Sequence, residues 1–82
     1  MSQYVLLFYT HGGAVRISRD LKAQGVQHEL APVPRELSSS CGVAGFVELD
    51  DGHSSLIDDE HVERIYVMTE EGYDLVHRAE GS

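Results

Sequence analysis

Two different patterns of apolar residues open the chain. Residues 4–9 have the sequence YVLLFY, and an unbroken apolar run of this length predicts a central strand that is flanked or covered on both sides. Ala14, Ile17 and Leu21 then recur at the spacing of one helix face, which predicts a helix over about residues 13–24. The chain is therefore expected to begin with a buried strand and an amphipathic helix.

Further strands are predicted downstream. Residues 26–31 alternate between apolar and polar side chains, as strands with one buried face do. Residues 43–49 and 62–68 also have the character of strands. Between the last two segments, serines followed by acidic residues predict a short second helix over residues 53–60. Residues 73–77 fit either a short edge strand or a helical turn.

Elements in this order, β-α-β-β-α-β, predict an α+β fold, a ferredoxin-like two-layer sandwich with both helices on one face of the sheet. The 82 residues are interpreted as a single small domain over residues 1–82, in which the residues after about 72 form a loosely attached tail. The core of so short a chain is modest, and a single cysteine forms no internal disulfide. Self-association into a homo-oligomer is a further way of stabilising such a domain.

The net charge of −8 is unevenly distributed along the chain. Residues 1–41 carry four lysines and arginines against three acidic residues, whereas residues 42–82 carry two against eleven. Because phosphate binding depends on basic side chains, we expect neither nucleic acid nor an anionic membrane as a partner. The acidic half serves solubility or, alternatively, steers a basic protein partner.

Arg16, Arg19 and Lys22 form a basic stripe along the predicted first helix. Two interpretations stay open for it: the solvated face of an amphipathic helix, or a docking surface for an acidic partner.

The sequence shows no secretory leader and no apolar run long enough to span a membrane. We therefore expect a soluble, cytoplasmic protein. Thiols stay reduced in that compartment.

Residues 32–42 hold both prolines, the single cysteine Cys41 and three consecutive serines. Proline fixes the backbone and serine favours turns, so this segment is predicted to be a rigid loop that presents one thiol. Thiolate is the reactive form of cysteine, and nearby positive charge and converging N–H groups favour it. The residues expected to supply them are Arg35, Ser38, Ser39, Ser40 and Gly42. The alternative is that Cys41 is a buried small hydrophobic residue.

Residues 34–44, PRELSSSCGVA, resemble the signature of the selenium/sulfur carrier protein-like family of small bacterial proteins. That signature is proline, arginine, any residue, an aliphatic residue, serine, serine or a small residue, any residue, cysteine, glycine, an aliphatic residue and alanine. The apolar first strand, Thr10 and His11, and the helix after them also resemble the family, so that the resemblance covers about residues 3–49. The chain departs from the family at Gly45, where a basic residue is common, and in its shorter second helix.

The resemblance implies a carrier of sulfur or selenium. Cys41 would hold the chalcogen as a persulfide or selenosulfide, loaded by a donor protein such as a cysteine desulfurase and removed by an acceptor protein. A carrier of this kind needs one activated thiol and no second, resolving cysteine. We expect no cofactor and no metal, since no histidine or cysteine spacing in the chain is typical of a metal site.

The predicted topology brings further groups to the thiol. The end of the first strand, the start of the first helix and the Cys41 loop lie at one end of the sheet, so Thr10 and His11 are the predicted neighbours of Cys41. A helix N-terminus favours an anion there, and His11 is a candidate hydrogen-bond partner or general base. The turn near His61 is predicted at the same end, and His53 at the opposite end.

Two other functions stay open beside the carrier. One is a protein-binding or regulatory module in which residues 32–42 are a recognition loop and Cys41 is structural. The other is an enzyme with Cys41 as nucleophile and His11 as base, but a core of this size leaves little room for a deep pocket, which favours a carrier over a turnover enzyme. Residues 11–14 lack the C-x-x-C of a glutaredoxin-type site, and Val47 stands where a Cys-x5-Arg phosphate loop needs arginine.

Overall fold

The computed structural model describes residues 2–37, 41–50, 52, 56–58 and 60–79. Within these residues the chain forms five strands and one α-helix, in the order β1 (Ser2–Phe8), α1 (His11–Ala23), β2 (His28–Pro32), β3 (Val43–Leu49), β4 (Val62–Thr69) and β5 (Gly72–Arg78). The predicted α+β class is confirmed. Among the described residues, no helix has the length and apolar character that crossing a membrane requires.

All five strands lie in one antiparallel sheet with the order β2-β3-β1-β4-β5. Strand β1 is central, since it is hydrogen-bonded to β3 on one side and to β4 on the other. Residues 4–8 are all buried, which confirms the central strand predicted from the unbroken apolar run. A large apolar side chain buried in this way contributes roughly 1.5–3 kcal/mol to folding, so β1 anchors the fold.

Successive residues of β1 point to opposite faces of the sheet, and each face carries its own core. One core includes the buried stripe of α1. The other is smaller and consists of Val5, Leu7 and Ala44. Partly buried side chains cover this smaller core: Val33, Leu37, Phe46, Tyr66 and Tyr73. Among the described residues, α1 covers one face of the sheet, and loop and strand side chains cover the other.

Helix α1 begins two residues earlier than predicted because Thr10 caps it. Thr10 has an extended backbone (φ −142°, ψ 162°), and its Oγ1 accepts a hydrogen bond of 3.0 Å from the N–H of Gly13. This bond satisfies one of the donors that a helix start leaves unpaired. The predicted apolar stripe is buried: Ala14, Ile17 and Leu21. His11 consequently lies in the first turn of the helix rather than in the loop before it.

Gly45 lies inside β3, where its missing side chain has a direct use. A Cβ placed on Gly45 would lie 3.0 Å from Cζ of Phe8, closer than side-chain carbons normally approach. The pairing of β3 with its neighbours continues without a shift through this residue. Gly45 therefore marks a close approach of the Phe8 ring, and not a bulge.

The ferredoxin-like arrangement is not confirmed: the sheet has five strands in the order β2-β3-β1-β4-β5, and the described part of the chain contains no second α-helix. Of residues 53–60, the structure describes Leu56, Ile57, Asp58 and Glu60, and none of them is α-helical. Leu56 is buried in a 3₁₀ turn, while Ile57 is 44% exposed. Most helical stability in a protein comes from packing an apolar face, and of the described residues in this segment only Leu56 is buried.

The expectation of a loosely attached tail after residue 72 is also wrong. Strand β5 pairs with β4 from the Thr69–Gly72 pair to the Arg64–Arg78 pair, and Ala79 is buried. The turn at residues 69–72 returns the chain directly along β4, so the edge-strand interpretation of residues 73–77 is the correct one. Residues 80–82 lie outside the described part of the chain.

Candidate functional site

The loop that carries Cys41 connects β2 to β3 and is closed by backbone hydrogen bonds. The N–H of Val33 donates to the carbonyl oxygen of Gly42 over 3.2 Å, and the N–H of Leu37 donates to that of Pro34 over 3.0 Å. Gly42 has φ +75°, a left-handed conformation that glycine adopts without a steric penalty. Cys41 therefore lies at the end of a tied loop, directly before a turn into β3.

The thiol of Cys41 is half-buried and hydrogen-bonded to the first residue of β3. Sγ donates to the carbonyl oxygen of Val43 over 3.2 Å, and the N–H of Val43 approaches Sγ at 3.5 Å. The side chain also packs against the larger core. Cys41 is neither fully outward nor sealed: one side of the sulfur is held by β3, and the residue keeps partial access to solvent.

His11 lies next to Cys41, as the topology predicts, but it contacts the backbone. Its Nε2 is 2.7 Å from the carbonyl oxygen of Cys41. Because a carbonyl oxygen only accepts, Nε2 carries a proton and donates it in this bond. In this arrangement Nε2 is not available as a base toward the thiol, and Nδ1 is the ring atom left to accept a proton.

The start of α1 lies at the same end of the sheet. Thr10 takes up one of the helix-start donors, because its Oγ1 accepts from the N–H of Gly13, and its carbonyl oxygen accepts the first regular helix bond, from the N–H of Ala14. His61 lies here as well, as predicted: its carbonyl oxygen accepts from the N–H of Tyr9 over 3.2 Å, and its ring lies against Gly13. His53, predicted at the opposite end, lies outside the described residues.

Of the other residues expected to stabilise an anion, the structure describes Arg35 and Gly42. Arg35 is exposed in the turn of residues 34–37, and the hydrogen bonds around Cys41 given above do not involve it. Ser38, Ser39 and Ser40 lie outside the described residues. Among the described residues, the structure thus brings together Cys41, Gly42 and Val43 on the loop and the start of β3 with His11 on α1.

A groove of about 390 Å³ lies beside this site, between α1 and β2. Its lining is almost entirely apolar: His11, Ala14, Val15, Leu30, Ala31, Pro32, Gly42 and Val43. Sequence reasoning missed it, because Val15 and Leu30 belong to different elements and form one surface only when α1 packs against the sheet. The available signal was Val15 itself, an apolar residue outside the buried stripe of the helix.

Asp58, Glu60 and His61 form the one group of potential metal ligands found among the described residues, with ligand atoms within 4.8 Å of one another. Exposed acidic side chains often approach one another in this way without an ion, so the group is not by itself a metal site.

No curated protein and no solved structure matches the chain. The model of the family described as "Putative Se/S carrier protein-like" matches residues 3–71. The match runs from β1 to the turn before β5 and includes both His11 and Cys41, so it extends beyond the segment of residues 3–49 that carries the resemblance in sequence. The chain belongs to the Putative Se/S carrier protein-like family.

Proposed function

We propose that the protein carries sulfur or selenium on Cys41 between a donor protein and an acceptor protein. The observation that carries the proposal is the position of the chain's only cysteine. It is half-exposed, at the end of a tied loop, beside His11 and the start of α1. Membership of the carrier-like family supports the same function.

The transfer step needs no cofactor and no net oxidation. The thiolate of Cys41 attacks the outer sulfur of a persulfide on the donor, R–S–SH. A new S–S bond forms to Cys41, the S–S bond of the donor breaks, and its electron pair leaves with the donor sulfur as R–S⁻. Unloading is the same reaction in the other direction: a nucleophile of the acceptor attacks the outer sulfur, and the Cys41 thiolate leaves. For selenium, the outer atom is selenium.

The groups around Cys41 have separate roles in this step. His11 fixes the backbone of the loop through the carbonyl oxygen of Cys41, and the N–H of Val43 lies near Sγ. The N-terminus of α1 carries partial positive charge, which favours an anion at this end of the sheet. Arg35 and the backbone of residues 38–42 are the groups we expect to stabilise the loaded, anionic form.

The absence of a second cysteine suits a carrier better than a disulfide-forming sensor, because no thiol of the chain can displace the loaded sulfur. The donor we expect is a cysteine desulfurase or a similar enzyme, and the compartment is the cytoplasm, where the thiol stays reduced.

The test is intact-protein mass spectrometry after incubation with a cysteine desulfurase and cysteine. We expect a species heavier by one sulfur atom, located on Cys41 by peptide mapping, and none in Cys41→Ser. Sodium tetrasulfide, which passes one sulfur to a thiolate and leaves as trisulfide, provides a donor without a protein. If Cys41 remains unmodified with both donors, the carrier function is wrong.

One observation favours a second function, a protein-binding or regulatory module in which Cys41 is structural. The sulfur donates to Val43 and packs against the larger core, as a purely structural cysteine does. This function predicts that Cys41→Ser and Cys41→Ala keep full partner binding and full biological activity, whereas the carrier loses its activity in both variants.

A further inference from the structure

We propose that the groove between α1 and β2 is the docking site for an extended, acidic segment of the partner protein, added as a strand to the open edge of β2. The proposal depends on the carrier function in one respect only, that the segment belongs to the donor of the chalcogen. Three features support it: the apolar lining, the backbone groups along the edge, and the local charge.

The apolar lining includes two of the large hydrophobic side chains that the protein leaves exposed. Val15 is 47% exposed and Leu30 is 37% exposed, and both line the groove. A side chain that fills the space between them removes apolar surface on both elements from water, which is the main favourable term in such contacts.

The backbone of β2 has hydrogen-bonding groups that point away from the sheet. The N–H of Val33 bonds to Gly42, and the carbonyl oxygen of Gln27 accepts from the N–H of Glu48. In an antiparallel pair, the backbone N–H and carbonyl groups of every second residue bond to the neighbouring strand. The backbone groups of residues 29 and 31 therefore also point toward β3, whereas those of His28 and Leu30 point outward, away from β3. Strand β2 is the edge of the sheet, so these groups can pair with an added strand.

An added strand at this position has defined ends. Pro32 has no N–H, which limits pairing at the end near Cys41. At the other end, a hydrogen bond of 2.8 Å joins Ser18 on α1 to His28 on β2. An edge strand with a helix alongside it is the arrangement by which several peptide-binding domains hold an extended ligand.

The charge around the groove favours an acidic segment. On the helix, Lys22 lies two turns after Val15 on the same face, and Arg19 lies one turn after it, and both are exposed. The protein as a whole is acidic, but charges are screened over about 8 Å at physiological ionic strength. Arg19 and Lys22 therefore act more strongly on the charge of a segment in the groove than the distant acidic residues of the protein do.

The position of the groove connects docking to the chemistry. Gly42 and Val43, which follow Cys41 in the chain, line one end of the groove together with His11. A segment lying along β2 therefore ends beside the thiol, and the protein that carries it is held close to Cys41 while the chalcogen is transferred.

The first experiment uses a synthetic, end-capped peptide of alternating valine and glutamate, titrated into the isotopically labelled protein and followed by NMR. We expect saturable shifts at the amides of β2 and of the first two turns of α1. Val15→Glu should weaken binding about ten-fold, equivalent to about 1.4 kcal/mol. Leu75→Glu, a change at a residue that is 49% exposed on β5, is the matched control and should leave binding unchanged.

Charge is tested with a second matched pair on the same helix. Lys22→Glu changes the net charge as much as Arg16→Glu does, but Arg16 lies about 100° around α1 from Val15, whereas Lys22 lies nearly in line with Val15. We expect Lys22→Glu to weaken binding several-fold more than Arg16→Glu, and a peptide with lysine in place of glutamate to bind worse than the acidic one. Equal effects of the two substitutions, shifts confined to other surfaces, or equal binding of both peptides would overturn the proposal.

The remaining outcomes separate docking from the carrier function. If the same amides shift with protein concentration alone, a second copy of the chain occupies the groove and the proposal is wrong. Cys41→Ser should bind the peptide normally, and Val15→Glu should accept sulfur normally from tetrasulfide but more slowly from the desulfurase. Normal peptide binding without any loading of Cys41 would refute the carrier function alone, whereas loading without peptide binding would refute docking alone.

Discussion

His11 Nε2 donates a hydrogen bond of 2.7 Å to the carbonyl oxygen of Cys41. The two residues are 30 positions apart, on the first turn of α1 and on the loop before β3, so this bond joins two elements at the end of the sheet where the thiol lies. It acts on the backbone of the cysteine, whereas the sulfur donates to the carbonyl oxygen of Val43. The position of the thiol thus depends on bonds made by the main chain of Cys41 as well as by its side chain.

Replacing His11 should loosen the loop. We expect His11→Ala to lower the free energy of unfolding by about 0.5–1.5 kcal/mol, the usual net contribution of one hydrogen bond, and to slow sulfur loading from the desulfurase. His11→Gln keeps a side-chain N–H of similar reach and should recover much of both losses. Urea denaturation and timed mass spectrometry measure the two effects. Identical results for the alanine variant and the unmodified protein would mean that the bond is not formed in solution.

Alkylation should report the half-buried state of Cys41. We expect iodoacetamide to label the folded protein at one site, more slowly than the protein unfolded in urea, because the sulfur is held against Val43 and the larger core. Rates are compared by mass spectrometry at one pH. Labelling that occurs only as fast as the protein unfolds would indicate a sealed thiol, as the structural alternative requires.

Gly45→Ala should be clearly destabilising. The added methyl group would lie 3.0 Å from the Phe8 ring, and overpacking of this kind typically costs about 1–3 kcal/mol. Gly12→Ala is the matched control: its Cβ would meet only Thr10 Oγ1 at 3.9 Å, and alanine is favoured over glycine within a helix by roughly 0.5–1 kcal/mol. Thermal unfolding of both variants should therefore shift in opposite directions.

Thr10→Ala removes the cap of α1 and should cost about 1 kcal/mol, within the range of roughly 0.5–2 kcal/mol known for such caps. Thr10→Ser keeps the acceptor for the N–H of Gly13 and should be close to neutral. Circular dichroism during chemical denaturation provides the comparison. A serine variant as unstable as the alanine variant would show that the methyl group, and not the cap, matters at this position.

The parts of the fold that the sequence predicts are those with a strong local period. The apolar run of β1 and the stripe of Ala14, Ile17 and Leu21 require no knowledge of partners, and both are found as predicted. Strand β5 is different, because residues 73–77 are stabilised by pairing with β4. The sequence of a short segment with mixed apolar and polar residues does not show that another strand lies beside it.

The candidate site, like the fold, could be predicted only in part. The topology was enough to place His11 near Cys41, because strand and helix directions determine which ends of the elements meet. It was not enough to predict that His11 bonds to the carbonyl oxygen of Cys41, since the direction of a side chain depends on local packing. The groove required both α1 and β2 to be in place, so neither Val15 nor Leu30 indicated it alone.

Val33 and Leu37 pack against the smaller core, and they flank the turn that leads to Cys41. The loop that carries Cys41 therefore also covers the second hydrophobic layer. Any partner that pulls on Val33 or Leu37 strains the interior of the domain. Under the proposed carrier function, a substitution that reshapes this loop changes transfer and folding together, so selection on one acts on the other as well.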